Sequence, residues 1–415
     1  MPDIAVYLDI DGHPQPLGLL RLQTRKGSET GVFEYDAGWL RNPNRFSIEP
    51  ALALTAGIFP GSKHRTIPGS IGDSAPDTWG RRLMLRAERR RAELEHRTPR
   101  TLFESAYLLG VADRTRMGAL RFCLAGTNDF LASLPDGVPS LVQLGDLLVA
   151  SERILRDEET DEDFRLLFAP GSSLGGARPK ASVIDQFGKL AIAKFPKEND
   201  EYSIETWEEV ALQLADRAGI QTAEHHLMKV CGRSVLLSQR FDRAEERRIP
   251  FLSAMSMLEM ADGEHGSYPE IADALVRHGS QVKADVRELY KRMALNVLIS
   301  NVDDHLRNHG FLWRGRNGWS LSPAYDLNPT PVDKRLRMLT TNISLAEGTC
   351  SLDLLFEVAG YFDLKLTDAK TIVRDVGVAV STWRKVASSV GARAAEIDRM
   401  ASAFEHADLD HARTL

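Results

Sequence analysis

Residues 301 to 311, Asn-Val-Asp-Asp-His-Leu-Arg-Asn-His-Gly-Phe, place two carboxylates, two imidazoles and two carboxamides directly after a long apolar run. Two chemistries fit those types. In one, His305 and His309, four apart on one face of a helix, hold a metal with Asp303 or Asp326 as a further ligand, as a metal-dependent hydrolase would. In the other, Asp303 takes a proton from a hydroxyl while the carboxamide of Asn308, five positions on, helps to hold a hard cation. The first design needs a continuous helix and a general-base glutamate beside the first histidine, whereas here Gly310 and strand-like residues follow at once.

The second spacing is that of the protein-kinase catalytic loop, HRDxxxxN, in which the Asp accepts the substrate hydroxyl's proton and the Asn binds magnesium. Such a loop lies between a buried helix and a hairpin that delivers a second metal-binding Asp. Here Val282, Val286, Leu289, Met293 and Val297 mark one face of a helix ending near Ser300. The stretch GFLWRGRNGWSLSPAYDL reads as a hairpin with Asn317-Gly318 at its turn, and it delivers Asp326. The plainer reading of Asp326 is an Asx-turn carboxylate ahead of Asn328-Pro329.

Upstream, strand alternation in LAIAKF puts Lys194 on one face with Leu190 and Ile192, where an ammonium needs an anion or an escape to water. A nucleotide phosphate would serve, and Glu208, on the helical stripe Ile204, Glu208, Leu212 and Ala215, could hold the lysine. The stretch SSLGGARPK brings paired glycines ahead of a strand, so that backbone amides could approach phosphate oxygens. It matches neither GxGxxG nor a Walker loop, and a plain loop is its simpler reading.

The elements that must position these groups belong to a chain of 415 residues, 43% hydrophobic and 27% charged, with a formal charge of -6. That length predicts two domains, and the charge argues against wholesale nucleic-acid binding. Cys123, Cys231 and Cys350 form no CxxC pair, which indicates neither a disulfide framework nor a zinc ribbon. No apolar run approaches the roughly 18 residues of a membrane span, so a soluble, cytoplasmic protein is expected.

Residues 1 to 130 read as a β-rich module: IAVYLDI, an Asp11-Gly12 turn, LGLLRL and GVFEYD, then a basic helix between Asp77 and Arg97, then MGALRFCL. The arginines read as a solvated helix face. The break LPDGVPS and the acidic run DEETDEDF mark a connection, which leaves 131 to 415 as a core. Its nucleotide-binding part spans about 165 to 245, and its helical catalytic part about 250 to 415.

Taken together, an N-terminal module (VYLDIDGHPQPLGLL, FEYDAGWL, APDTWGRRL, RMGALRF) with SSLGGARPK, LAIAKFP, SQRFDR, NVDDHLRNHGF and SPAYDLNP resembles the HipA-type serine/threonine kinases, toxins of bacterial toxin-antitoxin modules. The resemblance runs over nearly the whole chain. It implies a two-lobed, kinase-like α+β fold with an N-terminal β-rich module and a mainly helical C-terminal lobe. ATP and Mg2+ are the implied cofactors. Asp303 is implied as catalytic base, Asn308 and Asp326 as magnesium ligands, Lys194 as the phosphate-contacting lysine and Glu208 as its helix partner.

By the same resemblance, Gly175, Gly176, Ala177, Arg178 and Lys180 would cover the phosphates, Ser238, Gln239 and Arg240 would border the adenine, and His305 would orient the loop. His309 would merely cap the strand. Ser173 matches the serine that such kinases phosphorylate on themselves; Ser172 doubles that acceptor, and Pro179 replaces a flexible polar residue. The implied partners are a helix-turn-helix antitoxin of HipB type, operator DNA mainly through it, and a protein substrate such as an aminoacyl-tRNA synthetase. An inactive kinase-like scaffold or corepressor is the rival reading, against which the joint presence of Asp303, Asn308, Asp326 and Lys194 argues.

Overall fold

The computed structural model describes residues 3–61, 65–127, 129–130, 137–168, 176–245 and 247–415. They fall into two compact units, one made of Met1–Glu198, Val230–Arg233 and Leu237–Leu252, the other of Asn199–Lys229, Ser234–Leu236 and Ser253–Leu415.

In the first unit, strands β1 (Ile4–Ile10), β2 (His13–Arg25), β3 (Ser28–Tyr35), β4 (Ile58–Pro60) and β5 (Leu120–Leu124) form an antiparallel sheet in the order β4-β3-β2-β1-β5. Period-two alternation drives it: Ile4, Val6 and Leu8 are buried with Leu20, Phe33 and Phe122. Asp11 and Gly12 both take positive φ, 51° and 82°, as a tight two-residue hairpin turn requires. The expected β-rich module is therefore present.

The basic helix spans Thr78–Leu94 and starts at Asp77, whose Oδ1 accepts from the Gly80 N–H at 2.7 Å. Its arginines are not simply solvated. Arg81 grips Glu104 at 2.6 and 2.7 Å, Arg86 holds Glu159 at 3.0 Å as well as Asp157, and Arg90 reaches Asp161 at 3.2 Å. The acidic run expected to mark a connection thus supplies counter-charges to the helix.

The boundary expected near residue 130 lies inside the first unit, and a buried ionic cluster explains the continuity. Asp242, with no exposed surface, accepts from the Gly118 N–H at 2.7 Å and from Arg240 at 2.6 and 2.7 Å, and pairs with Arg243 at 2.6 Å. Arg240 also donates to the Thr115 carbonyl at 2.8 Å. Charges buried this way must stay together, so residues 237–252 are tied to 115–118.

The same unit contains the hairpin of Lys180–Ile184 and Leu190–Lys194, closed where Asp185 accepts from the N–H groups of Phe187 and Lys189, both at 2.8 Å. Cys231, at φ 47°, sits exposed in the turn between the strands His225–Val230 and Arg233–Gln239.

The second unit is mainly helical, as expected, and includes Ile204–Arg217, Tyr268–His278, Val282–Leu298 and Leu366–Val380. Val286, Leu289, Met293 and Val297, on the predicted face of Val282–Leu298, are buried. Elsewhere in the unit Trp383 stacks on Phe404, with ring centroids 4.6 Å apart.

The strands Gly310–Trp313 and Trp319–Leu321 pair with Phe311 opposite Leu321. Their connection is wider than an Asn-Gly turn, containing a 3-10 turn at Gly315–Asn317 followed by Gly318 at φ 105°. A Cβ on Gly318 would lie 2.5 Å from the His278 carbonyl, so glycine is required there. Among the described residues no helix is long and apolar enough to cross a membrane.

Candidate active site

The loop is launched by the end of Val282–Leu298. Ser300 takes φ 54°, the Asn301 N–H donates to the Asn296 carbonyl at 2.9 Å, and the Ser300 N–H donates to the Val297 carbonyl at 3.4 Å. This is the Schellman closure, with serine in the left-handed position that glycine usually fills. Arg337 supports it, donating to the Val297 carbonyl at 3.0 Å and to Ser300 Oγ at 3.1 Å.

That reversal separates two neighbouring carboxylates. Asp303 is exposed, and its Oδ1 accepts from Arg335 Nη1 at 2.7 Å. An ion pair this open contributes at most about 1 kcal/mol. Asp304 is buried, 2% exposed, where the Tyr268 hydroxyl and His309 Nε2 converge on it. A polar chain continues from there. Asn296 Nδ2 donates to Tyr268 Oη at 2.8 Å, Asn301 Nδ2 to Asn296 Oδ1 at 3.0 Å, the Asn328 N–H to Asn301 Oδ1 at 3.1 Å, and Asn328 Nδ2 to Asp326 Oδ1 at 3.2 Å. The loop carboxylate Asp304 and the hairpin carboxylate Asp326 are thus the two ends of one hydrogen-bonded chain.

Asp326 sits at φ 59°, a conformation Asp tolerates better than most residues. Its N–H donates to Glu208 Oε1 at 3.1 Å, and Glu208 is almost fully buried on the helix Ile204–Arg217. Just before it, the Tyr325 hydroxyl donates to the Arg307 carbonyl at 2.6 Å, fixing hairpin exit to loop. Asn308 Nδ2 donates to the Asp303 carbonyl at 3.3 Å, and its Oδ1 has no protein donor among the described residues. An amide oxygen and a carboxylate are the hard donors magnesium prefers, so this pair fits that ion.

Asp303, Asn308, Asp326 and Glu208 therefore all belong to the second unit, Glu208 through a backbone contact that the sequence did not suggest. His305 closes the 3-10 turn Leu306–Asn308 through its carbonyl, which accepts from the Asn308 N–H at 2.8 Å. That turn removes the helical premise of a His305–His309 metal pair, and His309 is engaged by Asp304 instead of capping the strand. Among the described residues no group of three or more His, Cys, Asp or Glu could hold a metal ion.

The remaining predicted residues lie in the first unit. Lys194 ends its strand opposite Lys180. Gly176 has φ 118°, and its carbonyl accepts from the Trp79 N–H at 3.2 Å. Lys180 is buried, its ammonium 3.0 Å from Asp77 Oδ2, so a phosphate would compete there with an existing ion pair. Ala177 is exposed and Arg178 half-buried, as is Ser238. Gln239 Nε2 donates to Asp185 Oδ2 at 3.1 Å.

Arg240 corrects its expected role. Its guanidinium is turned into the Asp242 cluster, because an isolated buried carboxylate needs it more than an adenine would. Only its backbone could border a nucleotide. Ser173 and Gly175 lie outside the described residues. Asp304, Tyr268, Asn296, Asn301, Asn328 and Arg335 were missed; the doubled Asp of NVDDH was the one signal available.

Comparison with known proteins adds family context. Residues 172–406 match the HipA-like C-terminal domain. A Haemophilus influenzae protein named "Putative kinase" is 26% identical over 180 residues, 38% of this chain and 52% of that protein. "Putative kinase Y4dM" of Sinorhizobium fredii is 30% identical over 122 residues, 29% of each. The chain thus spans about half, or less, of the curated relatives it matches. A chain from the Shewanella oneidensis MR-1 complex of HipA, HipB and operator DNA superimposes with a TM-score of 0.68 at 16% identity, covering 99% of both chains. That match shows the fold, of α+β class.

Proposed function

This chain belongs to the HipA-like family, and from that premise we propose that it is an ATP- and magnesium-dependent serine/threonine protein kinase, the toxin of a toxin-antitoxin module. One observation carries the reading: an exposed carboxylate, Asp303, lies on a loop whose carboxamide, Asn308, offers one oxygen donor, while Asp326, joined to that loop through Asn328 and Asn301, offers another, in the kinase order.

In the proposed reaction a serine or threonine hydroxyl of a protein attacks the γ-phosphorus of ATP, ADP leaves, and Asp303 accepts the hydroxyl proton. Magnesium, when bound, neutralises phosphate charge, and Asn308 and Asp326 would hold it. Lys194 and the backbone of 176–180 would contact the phosphates, Ser238 and Gln239 the adenine edge. Glu208 holds the backbone of Asp326. Rate then comes from positioning and electrostatics more than from covalent chemistry.

A HipB-like helix-turn-helix antitoxin and, mainly through it, operator DNA are the proposed partners. An aminoacyl-tRNA synthetase is one candidate substrate, Ser173 the proposed autophosphorylation site and the cytoplasm the proposed compartment. The test is an intact-mass and phosphosite map after incubation with magnesium-ATP, beside Asp303→Asn. One added phosphoryl group on Ser173, absent in the variant, is expected. No added mass on protein that began unphosphorylated, or equal labelling of Asp303→Asn, would overturn the reading.

A further inference from the structure

The segment that follows Asp326 is pinned at both ends. The Val332 N–H donates to Ser402 Oγ at 3.3 Å, Asp333 is gripped by Arg399 at 2.6 and 2.7 Å, and Lys334 lies 2.6 Å from Glu201. At the far end Arg337 is bound to Asp408 at 2.6 Å, and its carbonyl accepts from the Cys350 N–H at 2.9 Å.

On this anchored backbone Val332, Leu336 and Met338 are 44%, 81% and 54% exposed. An anchored backbone that exposes three apolar side chains within seven residues offers an incoming apolar side chain a seat that is already ordered. What that molecule is follows from the residue between them. Arg335 reaches Asp303, so the apolar strip begins one side-chain length from the carboxylate read as the proton acceptor.

We propose that residues 332–338 are the docking strip of the acceptor polypeptide, with Leu336 and Met338 receiving an apolar acceptor residue and Arg335 exchanging Asp303 for an acidic one. The proposal rests on the kinase reading of Asp303. An acceptor hydroxyl must hydrogen-bond to that carboxylate, and Arg335 occupies one of its oxygens. An exposed ion pair is weakly held, and a carboxylate beside the acceptor serine or threonine replaces it like for like, freeing Asp303 as the hydroxyl arrives. Charge exchange of this kind gives selectivity: a basic residue at the same place would meet a guanidinium.

The test uses arrayed peptides with a central serine or threonine and one fixed flanking residue each, labelled by the full chain with magnesium-ATP. The wild type should favour Asp or Glu at one flanking position and Leu or Met at another. Arg335→Glu should reverse the first preference toward Lys or Arg, by about tenfold or more in the ratio of the two peptide classes. Leu336→Ser with Met338→Ser should flatten the apolar preference and keep the acidic one. Because each readout is a ratio within one protein, partial loss of folded enzyme cancels. Unchanged selectivity in Arg335→Glu, or no positional preference in a wild type that still labels itself, overturns the docking strip and leaves the kinase reading standing. A wild type that labels neither peptides nor itself overturns the kinase reading, and this proposal with it.

Discussion

Nε2 of His309 lies 3.1 Å from one oxygen of Asp304 and 3.2 Å from the other, and both side chains are buried. A carboxylate only accepts, so the imidazole donates through Nε2 while the Tyr268 hydroxyl donates from its own side. Burial, with Asp304 adding to it, holds the Tyr268 hydroxyl well above its ordinary range, so it stays a donor at any working pH. Tyr268→Phe would leave Asp304 short of a donor and Asn296 short of an acceptor. The expected cost is about 1–3 kcal/mol in urea denaturation. Phosphoryl transfer should fall while nucleotide affinity holds, which equilibrium dialysis with magnesium-ATP checks.

Asn301 joins the two ends of that chain, donating to Asn296 and accepting from the Asn328 N–H. Asn301→Ala should loosen Asp326 and weaken magnesium-dependent nucleotide binding by about tenfold or more, as loss of a residue supporting a metal ligand does. A titration in Asn301→Ala, Asp326→Asn and the double variant should be non-additive. Full additivity would mean that Asn301 does not act through Asp326.

Asp242 predicts a stability effect remote from the proposed chemistry. Asp242→Ala leaves two buried guanidinium groups without their carboxylate, for an expected loss of about 3–5 kcal/mol. Chemical denaturation followed by fluorescence should show the midpoint shift.

His406 gives a pH dependence. Its Nε2 donates to the Leu298 carbonyl at 3.2 Å, and its Nδ1 accepts from the Leu409 N–H at 3.3 Å, an arrangement only the neutral ring can make. Burial, with Arg337 beside it, lowers its pKa to about 4. The unfolded chain binds this proton near the ordinary histidine value and the folded chain does not, so the contribution is present above that value and is lost as pH falls toward 4. The loss between pH 6.5 and 4 should be about 3 kcal/mol. Comparing urea midpoints of the wild type and His406→Gln over that range isolates it.

The order helix, loop, hairpin, Asp326 was legible because each part carries a local signal: the stripe from Val282 to Val297, the crowded polar residues from Asn301, and Gly318 at a forced positive φ. The polar chain was not. Tyr268, Asn296, Asn301 and Asn328 come from separate segments, and periodicity reports where apolar side chains go, not which buried polar atoms meet. Asp303 and Asp304 show the limit most sharply: identical neighbours, one exposed and one buried, sorted by the reversal at Ser300. The four-residue spacing of His305 and His309 promised a shared helical face only because a helix was assumed. Likewise the pairing of Arg86 with Glu159 spans 73 positions, beyond the reach of any local pattern.

The turn at Cys231 offers a practical handle. Burial raises the thiol pKa of Cys123 and pushes that of Cys350 up to about 12, which suppresses the thiolate on which alkylation depends. Cys231 is exposed on its left-handed turn, so a maleimide dye or biotin at neutral pH should attach there first. The native chain therefore carries its own single-site tether for immobilisation or fluorescence, without an introduced cysteine.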